Sequence, residues 1–136
     1  MSETSTNTLT KILGFTSIVE IGTGLALLID PAIVVTLLLS ADVTGVGVPL
    51  GRCFGIALVA LGLACWPCVG NARSDSPAFR AMLVYNVLIA LFLVYLFAVG
   101  HLGGVLLWPG VALHAVVALL LVWTWRAERL SQVSTP

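Results

Sequence analysis

Long apolar runs separated by short polar stretches dominate this chain. Residues 53–72 and 81–125 contain no Asp, Glu, Lys or Arg. A helix needs about 20 apolar residues to cross the bilayer core, and in lipid only helices and closed barrels satisfy every backbone polar group. The runs are continuous rather than alternating and are too few to close a barrel. The pattern therefore predicts transmembrane helices.

Four spans are predicted within a single bundle that covers residues 9–130. The spans run over about residues 12–29, 51–69, 79–99 and 105–125, and polar tails are expected at 1–8 and 131–136. The paired glycines Gly103 and Gly104 separate the third span from the fourth, because such a pair favours a turn. The fold class is predicted to be all-α, a four-span transmembrane helix bundle with an additional short interfacial helix.

The short helix is predicted over residues 31–39. Asp30 followed by Pro31 is typical of an N-cap residue with proline in the first helical turn. At 1.5 Å per residue this helix is about 14 Å long and does not cross the bilayer. It is expected to lie at the interface or to dip part-way into the membrane. A kinked continuation of the first span is the alternative.

Composition limits the class of protein. Of the 136 residues, 60% are hydrophobic and 9% are charged, and the mean hydropathy is +1.12. An ordinary soluble domain has about 25% charged residues. Six basic and six acidic residues cancel, so no basic face is available for nucleic acid. The expected partners are membrane lipids, with a homo-oligomer or a larger membrane complex as further alternatives.

The basic residues predict the orientation. Those that flank the predicted spans on one side are Lys11, Arg73, Arg80, Arg126 and Arg129. Cytoplasmic loops of membrane proteins carry an excess of Lys and Arg. We therefore expect a multi-pass protein of the plasma (inner) membrane with both termini in the cytoplasm.

Polar side chains inside the spans are the first candidate site. Glu20 lies near the middle of the first span, Asn86 in the third and His114 near the middle of the fourth, and Arg52 begins the second. A charge at such a depth costs several kcal/mol unless it is paired or protonated. We predict a buried cluster of Glu20, His114 and Asn86, capped by Arg52, as a ligand or proton-relay site. The alternative is that these side chains only join helices by hydrogen bonds.

The cysteines are a second, weaker candidate. Cys65 and Cys68 form a Cys-x-x-Cys sequence, a spacing that suits disulfide exchange. They are predicted on the cytoplasmic side, where thiols stay reduced, and Cys53 lies at the other end of the same span. No His, Cys or carboxylate spacing typical of a metal site occurs, and no nucleotide or nucleophile motif is present. The sequence therefore predicts no metal and no cofactor.

A family resemblance rests on the first half of the chain. The first span contains Gly22 and Gly24 and ends in Asp30-Pro31, and the sequence from Arg52 to Gly62 opens the second span. This layout resembles small bacterial four-helix integral membrane proteins of the DoxX-like type. The resemblance implies a membrane bundle, singles out Arg52, and names no catalytic group.

Three functions follow from the sequence. The favoured one is a non-enzymatic accessory or structural membrane component. The second is a carrier or binding protein for a lipid-like or small polar ligand that uses the intramembrane Glu/His/Asn cluster. The third is a membrane thiol oxidoreductase that acts through Cys65 and Cys68.

Overall fold

The described part of the chain is entirely helical apart from its connections. A computed structural model describes residues 3–67 and 73–133. These residues form five helices: α1 (Glu3–Ile29), α2 (Pro31–Leu39), α3 (Gly47–Ala64), α4 (Pro77–Ala98) and α5 (Leu107–Val133). Four segments are long and apolar enough to cross a membrane: Asn7–Ile29, Gly47–Ala64, Pro77–Ala98 and Leu107–Leu130. The predicted all-α bundle with four spans is confirmed.

The second span is shifted from its predicted bounds of 51–69. Helix α3 begins at Gly47, because Pro49 lies in the first turn, where its missing N–H would have no intrahelical partner. The helix ends at Ala64, because Pro67 disfavours the helical conformation at Trp66. Residues 68–72 lie outside the described part of the chain.

The first and last helices continue into the segments predicted as polar tails. Helix α1 already begins at Glu3, and α5 continues to Val133. Neither residues 3–8 nor residues 126–133 contain Gly or Pro. Without a helix-breaking residue, the regular backbone hydrogen bonds continue past the apolar part of each span.

Helix α2 is a separate helix because the chain leaves the helical conformation at Asp30. This residue has φ −145° and ψ 89°, and its side chain caps the helix that follows. The Asp30 Oδ1 atom accepts hydrogen bonds from the backbone N–H groups of Ala32 at 3.0 Å and Ile33 at 3.2 Å. The predicted bounds of 31–39 are those observed.

The C-terminus of α2 is attached to the α4–α5 connection. Backbone N–H groups of that connection donate to the last carbonyls of α2: Gly103 to Leu39 at 3.1 Å, Gly104 to Leu38 at 2.9 Å and Leu106 to Leu37 at 2.9 Å. These bonds satisfy carbonyl groups that the end of a helix otherwise leaves unpaired. As a result α2 lies across one end of the bundle.

Helices α1 and α3 approach each other so closely that their backbones touch. A Cβ atom on Gly24 would lie 2.7 Å from the Gly55 carbonyl oxygen, and one on Gly55 would lie 2.6 Å from the Gly24 carbonyl oxygen. A Cβ atom on Gly62 would lie 2.8 Å from the backbone carbonyl oxygen of Ser17. Small residues permit such contact between membrane helices.

The two halves of the bundle are packed differently. In the half that contains the start of α1 and the end of α5, a cluster of buried side chains packs between the helices, including Leu9, Leu13, Phe79, Met82 and Leu121. In the half below α2 the helices surround a cavity. Polar side chains of α1, α4 and α5 lie between the two halves.

Candidate functional site

Asn86 and His114 form the central hydrogen bond of this polar layer. The His114 Nδ1 atom lies 2.8 Å from Asn86 Oδ1, and the Asn86 Nδ2 atom donates to the Met82 carbonyl oxygen at 2.8 Å. Because the amide nitrogen is the donor in that second bond, the amide oxygen is the acceptor and His114 Nδ1 the donor in the first. In a neutral imidazole the Nε2 atom is then left as an acceptor.

Tyr85 connects this pair to Glu20. Its ring packs edge-on against the His114 imidazole, with the ring centroids 5.7 Å apart. Its hydroxyl lies near the Glu20 carboxyl. Sequence reasoning missed Tyr85. The available signal was its position inside the third predicted span, since membrane tyrosines are enriched at the two interfaces.

Glu20 is enclosed by the bundle, with 1% of its surface exposed. Its Oε1 atom and the nearby Ser17 Oγ atom have no hydrogen-bond partner among the described residues. The structure brings Asn86 and His114 of the predicted cluster into a hydrogen bond, and Tyr85 lies between His114 and Glu20.

Arg52 does not reach this layer. It lies exposed near the start of α3. Gly62 is the α3 residue that packs against Ser17 and Ile21, beside Glu20. Gly62 comes ten positions after Arg52 in the helix, a distance of about 15 Å along the axis. The structure does not bring the predicted cap to the cluster.

Neither Cys53 nor Cys65 lines the cavity. Cys65 is 1% exposed, and its Sγ atom donates to the Ala78 carbonyl oxygen at 3.6 Å. Cys53 is exposed near the opposite end of α3. Cys68, the second member of the predicted redox pair, lies outside the described residues.

The cavity below α2 has a volume of about 450 Å³. Every helix contributes to its wall, for example Leu27 from α1, Leu38 from α2, Phe54 from α3, Ile89 from α4 and Leu113 from α5. Ligand sites in proteins commonly measure about 300–1,000 Å³ and have mainly apolar walls with a few polar groups. This cavity has both properties.

The polar groups of the wall are few and mostly come from the central layer. Thr23, Tyr85 and His114 are the lining residues with polar side chains among those described. Tyr85 and His114 adjoin Asn86 and Glu20, so the cavity meets the polar layer at one end. Tyr85 and His114 can therefore donate a hydrogen bond to an otherwise apolar molecule in the cavity, or accept one from it.

Five described residues of the cavity wall are exposed, namely Thr23, Phe54, Phe92, Leu106 and Pro109, and two of them are phenylalanines. Phe54 of α3 and Phe92 of α4 line the cavity and are 46% and 53% exposed. A side chain that both lines a cavity and meets the exterior lies at its mouth. Both residues belong to segments that are apolar enough to span a membrane, so the opening faces the apolar exterior.

The described residues contain no group of three or more His, Cys, Asp or Glu side chains that could hold a metal ion.

The resemblance to DoxX-like proteins stays a prediction. Comparison of the chain with protein-family models, with curated proteins and with solved structures gives no match.

Proposed function

We propose that this multi-pass membrane protein binds a neutral, apolar molecule that carries one small hydrogen-bonding group. The observation that carries the proposal is the cavity of about 450 Å³ to which all five helices contribute and which ends at Tyr85 and His114. Such a protein is a carrier or a binding protein for a lipid-like ligand.

The depth of the polar groups selects the ligand class. A charged headgroup moved to the middle of the bilayer loses its hydration at high cost. A hydroxyl or carbonyl group is cheaper to bury and is satisfied by one or two hydrogen bonds. Tyr85 and His114 provide such bonds, and the remaining wall accepts a hydrocarbon or isoprenoid chain. Long-chain alcohols, isoprenoid alcohols and quinones belong to this class.

The opening between Phe54 and Phe92 supports entry from the lipid phase. A ligand dissolved in the bilayer reaches the cavity sideways, without crossing a water-filled vestibule. Its apolar chain then exchanges one apolar environment for another, so apolar transfer gives little net free energy. Affinity and specificity therefore depend on shape and on the hydrogen bonds at Tyr85 and His114.

A photoreactive long-chain alcohol tests the proposal. The probe carries a diazirine in its alkyl chain and is irradiated with the protein in lipid nanodiscs, and the labelled peptides are mapped by mass spectrometry. We expect saturable labelling that the unmodified alcohol displaces. Leu113→Trp fills the cavity and should abolish this labelling. Leu119→Trp is the matched control, because Leu119 lies on the same helix and is 69% exposed.

The proposal is overturned if labelling rises in proportion to the probe without saturating and is the same in both tryptophan variants. Thermal unfolding in detergent checks that each variant is folded. Gly110→Leu is a second cavity-filling variant, because a Cβ at Gly110 makes only ordinary contacts, 3.4 Å from Leu93 and 3.7 Å from Leu38. Undiminished saturable labelling of a folded Gly110→Leu protein also counts against the proposal.

An accessory or structural role is the second candidate, and the Asn86–His114 bond favours it. This bond joins α4 to α5 inside the span and fits a polar pair whose role is to hold helices together. In that case substitution of either residue lowers stability, and no ligand-dependent signal exists to be lost. The saturation measurement above distinguishes the two functions.

We also propose that the protein lies in a plasma (inner) membrane with both termini in the cytoplasm. The support is that Lys11, Arg73, Arg80, Arg126 and Arg129 lie towards one end of the four spans. A C-terminal green fluorescent protein should then be fluorescent in cells, and a C-terminal alkaline phosphatase inactive. The opposite pair of results contradicts the orientation.

A further inference from the structure

A second cavity lies at the other end of the bundle, where the spans meet the polar connection. It has a volume of about 700 Å³ and is bounded by residues 73–75, the first turns of α4 and the last turns of α5. None of its lining residues belongs to the cavity below α2. The proposed function does not use it.

Three arginines line this second cavity, namely Arg73, Arg80 and Arg129. Arg73 is engaged by Asp75 through two contacts of 3.0 Å, Nε to Oδ1 and Nη2 to Oδ2. The Arg129 guanidinium lies over the Trp125 ring, 4.5 Å from its centroid. Neither Arg80 nor Arg129 forms an ion pair with another described residue.

The two carboxylates of the wall already have partners. Asp75 is held by Arg73, and Glu128, which is 5% exposed, accepts a hydrogen bond from the Ser74 hydroxyl. The Ser74–Glu128 bond also attaches the connection before α4 to the end of α5. The cationic groups left to meet a ligand are therefore those of Arg80 and Arg129.

The inner part of the wall is apolar. Leu83 lies about one turn deeper in α4 than Arg80, and Val122 lies about two turns deeper in α5 than Arg129. Trp125 lies between Val122 and Arg129, at the depth where tryptophan is enriched in membrane proteins. A cationic rim above an apolar floor, at the boundary of a span, matches the shape and polarity of an amphiphilic anion.

We propose that this cavity binds an anionic phospholipid, with the phosphate at Arg80 and Arg129 and an acyl chain along Leu83 and Val122. Arginine suits phosphate because its planar guanidinium donates two parallel hydrogen bonds. Basic pockets between membrane helices are known to bind acidic headgroups. The source of the phosphate is a lipid rather than a soluble ion, because the floor is apolar.

Native mass spectrometry of the full-length protein in detergent tests this site. The protein is titrated with phosphatidylglycerol, with phosphatidylcholine of the same acyl chains, or with inorganic phosphate as a competitor. An arginine near a membrane surface contributes about 1 kcal/mol to anionic-lipid binding, so Arg80→Gln and Arg129→Gln should each weaken phosphatidylglycerol binding about fivefold and together about thirtyfold. Phosphatidylcholine should bind more weakly than phosphatidylglycerol.

Arg126→Gln is the matched control. Arg126 is exposed on the same helix as Arg129 but does not line the cavity. Its substitution by glutamine removes the same charge as Arg129→Gln. An equal loss of binding in this variant, equal binding of the two lipids, or full displacement by inorganic phosphate overturns the proposal. Arg80→Lys and Arg129→Lys keep the charge if a glutamine variant does not fold. A folded Arg80→Lys/Arg129→Lys protein should bind phosphatidylglycerol within about threefold of the original protein, and a loss as large as thirtyfold contradicts the assignment.

Discussion

The Asn86 amide fixes the orientation of the His114 imidazole inside the bundle. Its Oδ1 atom accepts from His114 Nδ1 at 2.8 Å, while its Nδ2 atom is held by the Met82 carbonyl of its own helix. Asn86 therefore cannot turn without losing two hydrogen bonds. The result is an imidazole that is held in place at the polar end of the cavity before any ligand arrives.

A double-mutant cycle on Asn86 and His114 measures this coupling. We expect Asn86→Ala to lower the free energy of unfolding by about 1–2 kcal/mol, because it leaves buried polar groups without a partner. The interaction free energy of the pair should be about 0.6 kcal/mol, the usual value for a hydrogen bond between membrane helices. The measurement is unfolding in mixed detergent micelles. An interaction energy of zero would show that the bond does not stabilise the α4–α5 contact.

Glycine packing between α1 and α3 gives a prediction with an internal control. Gly24→Ala places a methyl group 2.7 Å from the Gly55 carbonyl oxygen and 2.9 Å from the Val59 nitrogen. Because backbone atoms cannot move aside cheaply, we expect a loss of about 1–3 kcal/mol in the free energy of unfolding. Gly22→Ala on the same helix meets nothing within 4 Å and should be neutral or slightly stabilising.

Thermal unfolding of both alanine variants in the same detergent separates steric overlap from helix propensity. If Gly22→Ala and Gly24→Ala change stability equally, helix propensity rather than the α1–α3 contact governs the response. If only Gly24→Ala is destabilised, the close approach of the two backbones is required.

The helices were predictable because their signals are local. Asp30-Pro31 gave the bounds of α2, since an N-cap and a first-turn proline act on adjacent residues. The same rule applied to Pro49 would have moved the start of α3 to within two residues of its observed position at Gly47. The run length of apolar residues is likewise a property of neighbouring positions, and it predicted the spans.

The cavity was not predictable because it depends on contacts between distant segments. Helix α2 covers it in part because Gly103 and Gly104 hydrogen bond to the end of that helix, about sixty residues earlier in the chain. Tyr85 lies between Glu20 and His114 because α4 presents it between α1 and α5. Hydrophobic periodicity in a fully apolar span does not show which face of α4 that is. The polar residues Glu20, Asn86 and His114 were found because polarity inside a span is itself the signal.

Cys65 should react slowly with thiol reagents while the protein is folded. Burial raises the pKa of its thiol, so below that pKa an even smaller fraction is thiolate than for a free cysteine, and 1% exposure leaves little access. In a Cys53→Ser/Cys68→Ser protein we expect maleimide modification to be at least about tenfold slower in mild detergent than after unfolding. Equal rates in the two states would contradict the burial and would revive a redox role for this thiol.

Loss of the α2 cap should affect stability and ligand binding together. Asp30→Ala removes the acceptor for the N–H groups of Ala32 and Ile33, which costs about 1 kcal/mol at a typical N-cap. Since Val34 and Val35 of α2 line the cavity, fraying of the first turn disturbs its wall. We expect the photoreactive alcohol to bind up to about fivefold more weakly, because a competent cavity is then populated less often. Asp30→Asn keeps an acceptor oxygen, and its free energy of unfolding should lie within a few tenths of a kcal/mol of that of the original protein.

If Asp30→Ala lowers the unfolding temperature but leaves saturable labelling unchanged, the start of α2 is not part of the binding wall. If it weakens labelling and Asp30→Asn does not, the cap is what keeps the cavity closed on this side.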